Sequence, residues 1–561
     1  MRESERFPLT ARGDINTYAV FAELFRRLLN PCGRAGVIVP TGIATDDTTK
    51  EFFGNLVESS SLVSLYDFEN RQGLFPEVDS RMKFSLLTLQ NSTDHKIVPA
   101  NFILFATQVE HLSDPNRRFA LSAEDFSLLN PNTRTCPVFR TRADAELTKQ
   151  IYRNVPVLVN EQTGENPWGI KFLRMFDMSN DSHLFRTRDQ LEREGFRLMG
   201  SRFVKGSDLW LPLYEGKMIQ AFDHRASGVI TKVQNLKRPG QPVETSLHQH
   251  LDPLHVPVPQ YWIERSGVDR RLPENFPNWS IGFKSVTSPT NERTFITSLL
   301  LACGVGNSMP LLLGDFPDRF LLSCFFSNLN SLVFDFVTKQ KTGGVNLNFF
   351  VVEQFPTLPP TAYTTSNLEF IIPRVLELVY TAWDIKAFAD DTWRDANASL
   401  RAHIQKQHEE NKKTTGGNEW KLPDWIEAYP EIEWNRDKGI PLPPFKWDET
   451  RRAILRAELD AYYAKLYGLT RKQLRYILDP ADLTERELQD ILEPWEEVSD
   501  PLDPAGNTER TAKSTFHGET FRVLKEKELK HFGEYRTRRL VLEAWSRLSN
   551  VVKVERSLAH G

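Results

Sequence analysis

The stretch from residue 14 to residue 89 constrains the fold more than any other, because its apolar residues alternate between the helical and the extended period. The predicted elements are, in chain order, a helix at 15–29, a strand at 36–39, a helix at 48–57 and strands at 62–68 and 82–89. Helices and strands that alternate in this way form half of a doubly wound α/β domain.

Two of these elements carry a specific expectation about burial. The strand from Gly36 to Val39 is a continuous apolar run, which is typical of a strand buried on both faces of a parallel sheet. The first helix is expected to be half-buried along one stripe. That stripe consists of Tyr18, Phe21, Ala22, Phe25, Leu28 and Leu29.

The composition indicates an ordinary soluble protein. A chain of 561 residues allows three or four domains, and its hydrophobic fraction of 40% and charged fraction of 26% are unremarkable. No apolar run of about eighteen residues exists, so no membrane span is expected, and the polar N-terminus does not look like a secretory signal. The net charge of -4 gives no global attraction to nucleic acid.

Cysteine and histidine usage argues against metal and disulfide chemistry. The four cysteines are scattered without a Cys-x-x-Cys pair, which argues against structural zinc and a disulfide framework and indicates a reducing, cytoplasmic location. The twelve histidines show no spacing for zinc. We therefore predict no metal site.

The whole chain can be divided into four segments by residue composition and predicted secondary structure. Residues 1–109 are interpreted as the α/β part and 110–165 as a connector that docks on it. Short strands, aromatic residues and turns predict an α+β domain at 166–365. Residues 366–561 predict a helical region, and a polar, low-complexity insert near 405–418 is expected to be a mobile loop.

Three motifs of the chain are specific. The first is the loop Gly73-Leu-Phe75-Pro76, and the second is the end of the α+β part, Asn346 to Pro360. The third consists of Asn16-x-Tyr18-x-x-Phe21, Gly33-x-x-Gly36 and Val-Ile-Val-Pro40. Together they resemble gamma-class, adenine-N6-specific DNA methyltransferases, in particular the long restriction-modification methylases that carry their own target-recognition domain. The first motif resembles that family's loop whose Phe packs on a flipped-out adenine, the second its target-recognition domain, and the third the segment after its catalytic Asn-Pro-Pro-aromatic tetrad.

The resemblance covers most of the chain and implies a fold and an activity. The fold would be a partial class I methyltransferase (Rossmann-like) sheet, then an α+β target-recognition domain, then a helical C-terminal region. The activity would be methyl transfer from S-adenosyl-L-methionine to adenine N6 in double-stranded DNA, within a restriction-modification or phage-defence system. The target base has to leave the duplex before its amine can meet the methyl donor.

The resemblance also implies site residues. Phe75 and Pro76 would stack on the flipped base, whereas the alternative for Phe75 is a loop aromatic that folds back onto the core. Asn16, Tyr18, Phe21 and Pro40 would form the edge of the cofactor pocket. Taken alone, Phe21 is equally well explained as a core residue of its helix.

Basic residues of the α+β part are candidates for DNA contact. Lys339 and Lys341 stand beside Gly343 and Gly344, a combination that predicts a mobile basic loop near phosphates. The alternative is a solvated helix C-terminus, where Lys offsets the helix dipole and Gly caps the end. Weaker candidates for DNA binding are Arg265, Lys284 and Arg293.

The sequence lacks two motifs that the family needs. No acidic-Gly-x-Gly loop precedes the first strand, and the nearest string to the catalytic tetrad, Asn166-Pro-Trp168, lacks a Pro. We therefore assign no catalytic residue and expect the chain to be inactive alone. A separate polypeptide would supply the N-terminal half of the methylase, or the reading frame is truncated. A non-catalytic DNA-binding specificity subunit is the rival hypothesis.

Overall fold

The computed structural model describes residues 6–11, 13, 15–91, 98–231, 240–274, 276–314, 319–342, 345–514 and 520–548. These residues form a mixed α/β protein with several sheets and many helices.

The first sheet is built from the stretch that alternates between helical and extended periods. Its elements are α1 (Thr17–Arg27), β1 (Arg34–Pro40), α2 (Gly42–Thr45), α3 (Lys50–Glu58), β2 (Leu62–Glu69), β3 (Lys83–Gln90), β4 (Ala100–Ala106) and β5 (Phe119–Leu121). Among the described residues the strand order is β1-β3-β2-β4-β5. Strands β2 and β4 are parallel, and β3 is antiparallel to β1 and β2. Strands β1, β2 and β4 therefore run in one direction and end at the same edge of the sheet.

The two faces of this sheet are covered differently. One face packs in the main hydrophobic core together with Phe52, Phe53 and Leu56 of α3. The cross-strand row on that face is Val37, Leu87, Leu65 and Phe102. Side chains of the next row point to the opposite face, where only a small separate cluster lies. That second row is Ile38, Leu86, Tyr66 and Ile103.

Strand β1 is not buried on both faces, so this prediction is wrong. In the described part of the chain, β1 pairs with β3 alone and forms an edge of the sheet. Val39 is buried, but the side chain of Ile38 is 60% exposed. A continuous apolar run predicts a strand without predicting its neighbours, because strand order depends on contacts that are distant in sequence.

The burial of α1 also differs from the predicted stripe. Its buried residues are Ala19, Val20, Ala22 and Glu23, whereas Phe21, Phe25 and Leu28 are exposed. The small residues face the core, and Glu23 is buried because its carboxylate accepts hydrogen bonds from the backbone N–H (3.0 Å) and hydroxyl (2.7 Å) of Thr10. Tyr18 and Leu29 are the partly buried members of the predicted stripe.

The connector contains α4 (Ala123–Leu129) and α5 (Arg142–Asn154). Each begins with a capping box, in which Ser122 or Thr141 bonds the backbone N–H of the third helical residue and that residue's carboxylate bonds back. Phe126 of α4 packs edge-to-face on Phe53 of α3, with ring centroids 5.6 Å apart. The connector is thereby fixed on the first sheet.

The α+β part holds three sheets in the described residues, ordered β7-β13-β10-β9-β8 (with β16 also paired to β10), β11-β12 and β15-β14-β17-β6. Its strands are β6 (Lys171–Leu173), β7 (Phe185–Arg186), β8 (Arg197–Met199), β9 (Arg202–Lys205), β10 (Asp208–Tyr214), β11 (Ser227–Thr231), β12 (Gly240–Glu244), β13 (Trp262–Glu264), β14 (Trp279–Phe283), β15 (Thr297–Leu301), β16 (Gly304–Val305) and β17 (Leu311–Leu313). Between them lie the short helices α6 (Arg188–Arg193), α7 (Leu247–Leu251) and α8 (Arg265–Asp269).

The remaining elements are helical. They are α9 (Leu321–Leu329), α10 (Leu332–Lys341), α11 (Phe349–Val352), α12 (Thr365–Val379), α13 (Lys386–Asp395), α14 (Ala398–Thr415), α15 (Glu449–Leu466), α16 (Arg471–Leu478), α17 (Glu485–Gln489), α18 (Pro504–Lys513), α19 (Arg522–Phe532) and α20 (Arg536–Arg547). None of the described helices is by itself long and apolar enough to cross a membrane. The helices α9 and α10, which meet at a bend of 51°, reach the length and apolar composition of a membrane span only when they are taken together.

The polar segment near 405–418 is not a loop, so the sequence interpretation is wrong there. Most of it belongs to α14, which Asn397 caps at its start and Gly416 ends in the left-handed conformation, with a φ of 85°. Gln407 and Asn411 are buried and donate to the Glu377 carboxylate of α12 at 2.6 and 2.8 Å. The sequence interpretation missed this helix because its apolar content is low and its buried face is polar and hydrogen-bonded.

A buried arginine joins the α+β part to the helical region. Arg225 is fully buried, and its guanidinium donates to the backbone oxygens of His250, Asp252, His255 and Thr381 at 3.0–3.3 Å. Thr381 follows α12, so the contact links two parts of the chain that lie far apart in sequence. A buried cation with several acceptors fixes their relative orientation.

Candidate functional site at the carboxyl ends of the strands

A crevice of about 210 Å³ opens where β1, β2 and β4 end and β3 begins. This is the edge of an open α/β sheet at which ligands generally bind. The lining residues are Pro40, Thr41, Gly42, Ala44, Thr45, Asp46, Leu65, Asp67, Lys83, Leu104, Phe105, Cys136 and Val138.

Asp67 is the central polar group of the crevice. Its Oδ1 accepts hydrogen bonds from the Thr41 hydroxyl and, at 3.3 Å, from the Ser85 hydroxyl, and its Oδ2 accepts from the Phe105 N–H at 3.4 Å. These contacts tie the ends of β1, β3 and β4 to β2. Burial raises the pKa of the Asp67 carboxyl, while Thr41 and the nearby charge of Lys83 oppose that shift.

A second carboxylate lies on the rim, close to Tyr18. Burial raises the pKa of Asp46, and burial together with the charge of Asp46 raises the pKa of Tyr18. Gly42 lies between the two, and a Cβ on it would overlap the Asp46 carboxylate and lie 3.2 Å from the Tyr18 hydroxyl oxygen. Glycine is therefore required for this close approach.

Phe105 forms an aromatic wall between two cations. Its ring centroid is 4.7 Å from the Lys83 ammonium and 4.0 Å from the Arg140 guanidinium, both within cation–π distance. Its backbone has a φ of 57°, a conformation that is uncommon for a non-glycine residue and that turns the chain at the end of β4. Asp67 and Lys83 thus line the same small crevice as the Phe105 ring.

The loop between β2 and β3 holds Phe75 at the same edge of the sheet. The Asn70 side chain accepts from the Phe75 N–H at 2.9 Å and donates to the carbonyl oxygens of Phe75 and Val78 at 2.9 and 2.8 Å. The Phe75 ring stays 39% exposed and packs edge-to-face on Phe84, with centroids 4.9 Å apart. Pro76 is exposed beside it. The loop therefore presents a partly free aromatic face on a fixed backbone.

The structure brings some of the predicted cofactor-edge residues together and separates others. Pro40 lines the crevice, and Tyr18 lies against its rim at Gly42. Asn16 is exposed at the start of α1, and Phe21 lies on the outer face of that helix, packed on Phe25. Phe21 is therefore neither the core residue nor the crevice wall that the sequence suggested.

The two lysines of the predicted basic loop point inward. The Lys339 ammonium donates to the carbonyl oxygens of Pro289 (3.1 Å) and Asn291 (2.7 Å). That of Lys341 donates to the carbonyl oxygens of Gln354 (2.9 Å) and Leu129. Burial lowers the pKa of both lysines. Gly343 and Gly344 lie outside the described residues.

The three weaker candidates occupy different environments. Arg265 pairs with Asp269 along α8 at 2.8 Å, and Arg293 reaches Asp460 of α15 at 3.6 Å. Lys284 follows β14, and burial lowers its pKa to about 8. Within the described residues Lys284 is without a side-chain hydrogen bond or ion pair, so its amine is available for an outside partner.

Sequence reasoning missed the polar residues of the crevice. Asp67 stands on the core-facing side of β2, where the alternating pattern calls for an apolar residue, and Thr41 directly follows the Val-Ile-Val-Pro40 run. A carboxylate at a core position was the available signal. Lys83, Phe105 and Cys136 had none, because they come from separate segments that only the fold brings together.

The crevice can bind polar groups, and the thiol that lines it is not activated as a nucleophile. Burial raises the pKa of Cys136, so its thiol stays protonated. No cluster of potential metal ligands occurs among the residues that the structure describes. Buried and partly buried carboxylates, hydroxyls and an aromatic wall are suited to holding a ligand through hydrogen bonds and stacking.

Comparisons with known proteins find structural likeness only. No protein-family model and no curated protein matches the chain. The solved structures that match include the type IIG restriction endonuclease BpuSI, at 15% identity over 72% of this chain and 50% of that one, with a TM-score of 0.25. The ATP-dependent type ISP restriction-modification enzyme LlaBIII bound to DNA matches at 8% identity over 67% of this chain and 27% of that one (TM-score 0.33).

A third match is the type IIL restriction-modification enzyme MmeI in complex with DNA, at 8% identity over 73% of this chain and 50% of that one, with a TM-score of 0.31. The first neighbour is a restriction endonuclease and the other two are restriction-modification enzymes by their descriptions, and the chain spans half of their length or less. At these TM-scores no residue role is carried over from them.

Proposed function

We propose that this chain is part of a site-specific DNA methyltransferase that transfers a methyl group from S-adenosyl-L-methionine to adenine N6 in duplex DNA. One observation carries the proposal: a polar crevice and the half-exposed Phe75 ring occupy the same edge of the α/β sheet. Chemistry on a base inside a duplex requires the base to be extruded into a pocket and stacked on an aromatic side chain. Phe75 supplies the stacking face, and the crevice supplies hydrogen-bonding groups at the same strand ends. The Phe75 ring packs on Phe84, whose cluster lies on the other face of the sheet from the crevice.

The residues present do not make a complete cofactor site. Gly42 and the carboxylates of Asp46 and Asp67 lie in the crevice, but both oxygens of Asp67 already accept hydrogen bonds from this chain. The sequence has neither the acidic-Gly-x-Gly loop nor the Asn-Pro-Pro-aromatic tetrad. We therefore assign the base-holding side of the reaction to this chain and the methyl-donating side to groups that these 561 residues do not contain.

DNA would lie across the α+β part, which we take as the target-recognition domain. Lys284 is the basic residue whose environment favours this role, because it stands on the strand-rich part without a side-chain partner in the described residues. Arg265 and Arg293 are engaged with Asp269 and Asp460 but could share a phosphate. Lys339 and Lys341 would act indirectly, by holding the loop from Pro289 to Asn291 and the connector in place.

The second candidate is a non-catalytic specificity subunit of a restriction system. The observation that favours it is that both carboxylate oxygens of Asp67 already accept hydrogen bonds from this chain. In this reading the crevice is a junction that holds four strands together rather than a reaction site. In that case the recognition domain binds DNA and the α/β part serves only for docking.

Modified-base sequencing of host DNA separates the two candidates. The chain would be expressed in a methylation-deficient host together with a polypeptide that carries the two missing motifs. N6-methyladenine at one sequence motif, lost in Phe75→Ala but retained in Leu74→Ala, supports the methyltransferase. Sequence-selective DNA binding without any methylated adenine in the presence of that polypeptide supports the specificity subunit.

A further inference from the structure

A narrow pocket lies where the connector, the α+β part and the C-terminal helices meet, apart from the crevice. Its volume is about 20 Å³, which is room for a small polar group and not for a base. Among the residues that the structure describes, no carboxylate lines it. We call it the arginine pocket. Its lining includes Arg140, Thr290, Asn291, Lys339, Thr520 and Arg522, all of which have hydrogen-bond donors in their side chains.

Segments that are far apart in sequence form this pocket. Arg140 directly precedes the cap of α5, and Arg522 is the first residue of α19. Residues 289–291 belong to the loop between β14 and β15. The Lys339 ammonium donates to the carbonyl oxygens of the first and last of these three residues, at 3.1 and 2.7 Å. Lys339 therefore fixes the loop as one wall of the pocket, and the two arginines stand on the other walls.

Positive charge is concentrated around the arginine pocket. Burial lowers the pKa of Lys339, and the charges of Arg293 and Arg140 lower it further. The charges of Asp335 and Glu292 oppose this shift, but neither of these two residues lines the pocket. Repulsion between cations is strong where bulk water is partly excluded. An anion in the pocket would offset it.

Arg522 can bind a ligand at little cost to the fold. Its guanidinium pairs with Glu526, four positions on, at 3.0 Å, and the two side chains are 43% and 59% exposed. Exposed ion pairs of this kind contribute little to stability, and a guanidinium has several N–H donors to share. Arg522 and Val523 are the first two residues of α19, so the start of this 11-residue helix faces the pocket. The helix dipole favours an anion there.

Arg140 connects the arginine pocket to the crevice. Its guanidinium lies 4.0 Å from the ring centroid of Phe105, and Phe105 lines the crevice. A planar guanidinium can stack on an aromatic ring and still present its edge to a phosphate, which a lysine ammonium cannot do. A ligand bound to Arg140 in the pocket is therefore held next to a wall of the crevice.

We propose that the arginine pocket binds a single phosphate group, which Arg140 and Arg522 hold through charge-assisted hydrogen bonds. The phosphate comes either from the DNA backbone or from a free phosphate compound. The DNA source rests on the proposed function, because a strand whose base enters the crevice would bring its backbone toward Arg140. A backbone phosphate held here would position that strand without reading its sequence.

Calorimetry of the full chain with inorganic phosphate, at constant ionic strength, tests the pocket. We expect one site per chain, and Arg522→Gln should weaken binding by at least about fivefold because it removes a charged donor. Arg188→Gln is the matched control. Arg188 is also the first residue of a helix, α6, it pairs with Glu192 four positions on, and it is 54% exposed. We expect less than about a twofold effect from it, and equal losses in both variants would overturn the proposal.

DNA binding identifies the source of the phosphate. If the pocket takes a backbone phosphate, Arg522→Gln should reduce the slope of log affinity against log salt by about one. Inorganic phosphate should then compete with DNA for the unsubstituted chain more strongly than for the variant. A weaker phosphate titration with an unchanged DNA slope assigns the pocket to a free phosphate compound instead.

The pocket and the proposed function fail in different ways. If Arg522→Gln changes neither the phosphate titration nor the salt slope, the pocket is overturned, even if the chain takes part in DNA methylation. If Arg522→Gln weakens phosphate binding but no methylated adenine forms when the two missing motifs are supplied, the pocket stands and the proposed function is overturned.

Discussion

The ring of Phe75 meets that of Phe84 edge-to-face, with centroids 4.9 Å apart and planes at 78°. Phe84 in turn stacks on Phe68 at 5.3 Å, so the loop aromatic rests on a pair of strand aromatics. This arrangement fixes the Phe75 ring against Phe84 and leaves part of its surface exposed. A ring held in this way can receive a base without reorganising, and that property connects the fold of the loop to its proposed role.

Replacing Phe75 by Ala should weaken binding to DNA with an unstacked adenine. Stacking of a base on an aromatic side chain contributes about 1–3 kcal/mol, so we expect a loss of at least about fivefold in affinity for a duplex with adenine opposite an abasic site. Fluorescence anisotropy measures it. Leu74→Ala is the control, because Leu74 is 37% exposed against 39% for Phe75. Equal losses in both variants would contradict base stacking.

Lys284 should make DNA binding depend on pH. Burial lowers its pKa to about 8, and contact with a phosphate favours the protonated amine. The protonated fraction of the free protein falls as the pH rises through that value, so affinity should fall by about tenfold between pH 7 and pH 9. Anisotropy titrations at constant salt measure this. Lys284→Arg stays charged and should remove most of the decline, and an unchanged decline would exclude Lys284 as the contact.

Lys339→Met should lower stability and leave the salt dependence of DNA binding unchanged. The buried ammonium donates to two carbonyl oxygens, at Pro289 and Asn291, and its loss leaves them without that donor. We expect a decrease of about 1–3 kcal/mol in the free energy of unfolding by urea. The exposed Lys530 is the control, and Lys530→Met should change stability by less than about 0.5 kcal/mol. A reduced salt slope for Lys339→Met would show that its ammonium contacts phosphate after all.

Asp67→Asn should change how stability depends on pH. Burial raises the pKa of Asp67 in the folded state above its ordinary value. The folded protein therefore binds this proton more tightly than the unfolded chain, and the ionised carboxylate costs stability at neutral pH. That cost disappears as the pH falls, so the free energy of unfolding of the variant minus that of the unsubstituted chain should decrease as the pH is lowered from neutral toward the ordinary pKa of an aspartate. A constant or rising difference would mean that the folded state stabilises the carboxylate.

The sequence predicted α1, β1, α3, β2 and β3, because each has a clear apolar period, whereas the short strand β5 was not predicted. It could not predict that β1 is an edge strand or that Phe21 is exposed, because both depend on which elements are neighbours in space. The helix α14 was missed for a related reason. Its buried face consists of Gln407 and Asn411, whose partners on Glu377 lie thirty or more positions away.

The candidate site was predictable only in part. Pro40, Tyr18 and Phe75 came from motifs that resemble a family, and the fold places all three at one sheet edge or its rim. Asp67 carried a local signal, a carboxylate in a core position. Phe105 and Arg140 did not, because a ring and a guanidinium 35 positions apart meet only after the connector has packed against β4.

The central claim is that this chain holds the base but lacks the methyl-donating side. Transfer of labelled methyl from S-adenosyl-L-methionine to duplex DNA by the purified 561-residue chain tests it most directly. We predict no transfer above the protein-free background for the chain alone, and transfer to adenine N6 once a polypeptide that carries the two missing motifs is added. Methylated adenine produced by the chain alone would contradict the account.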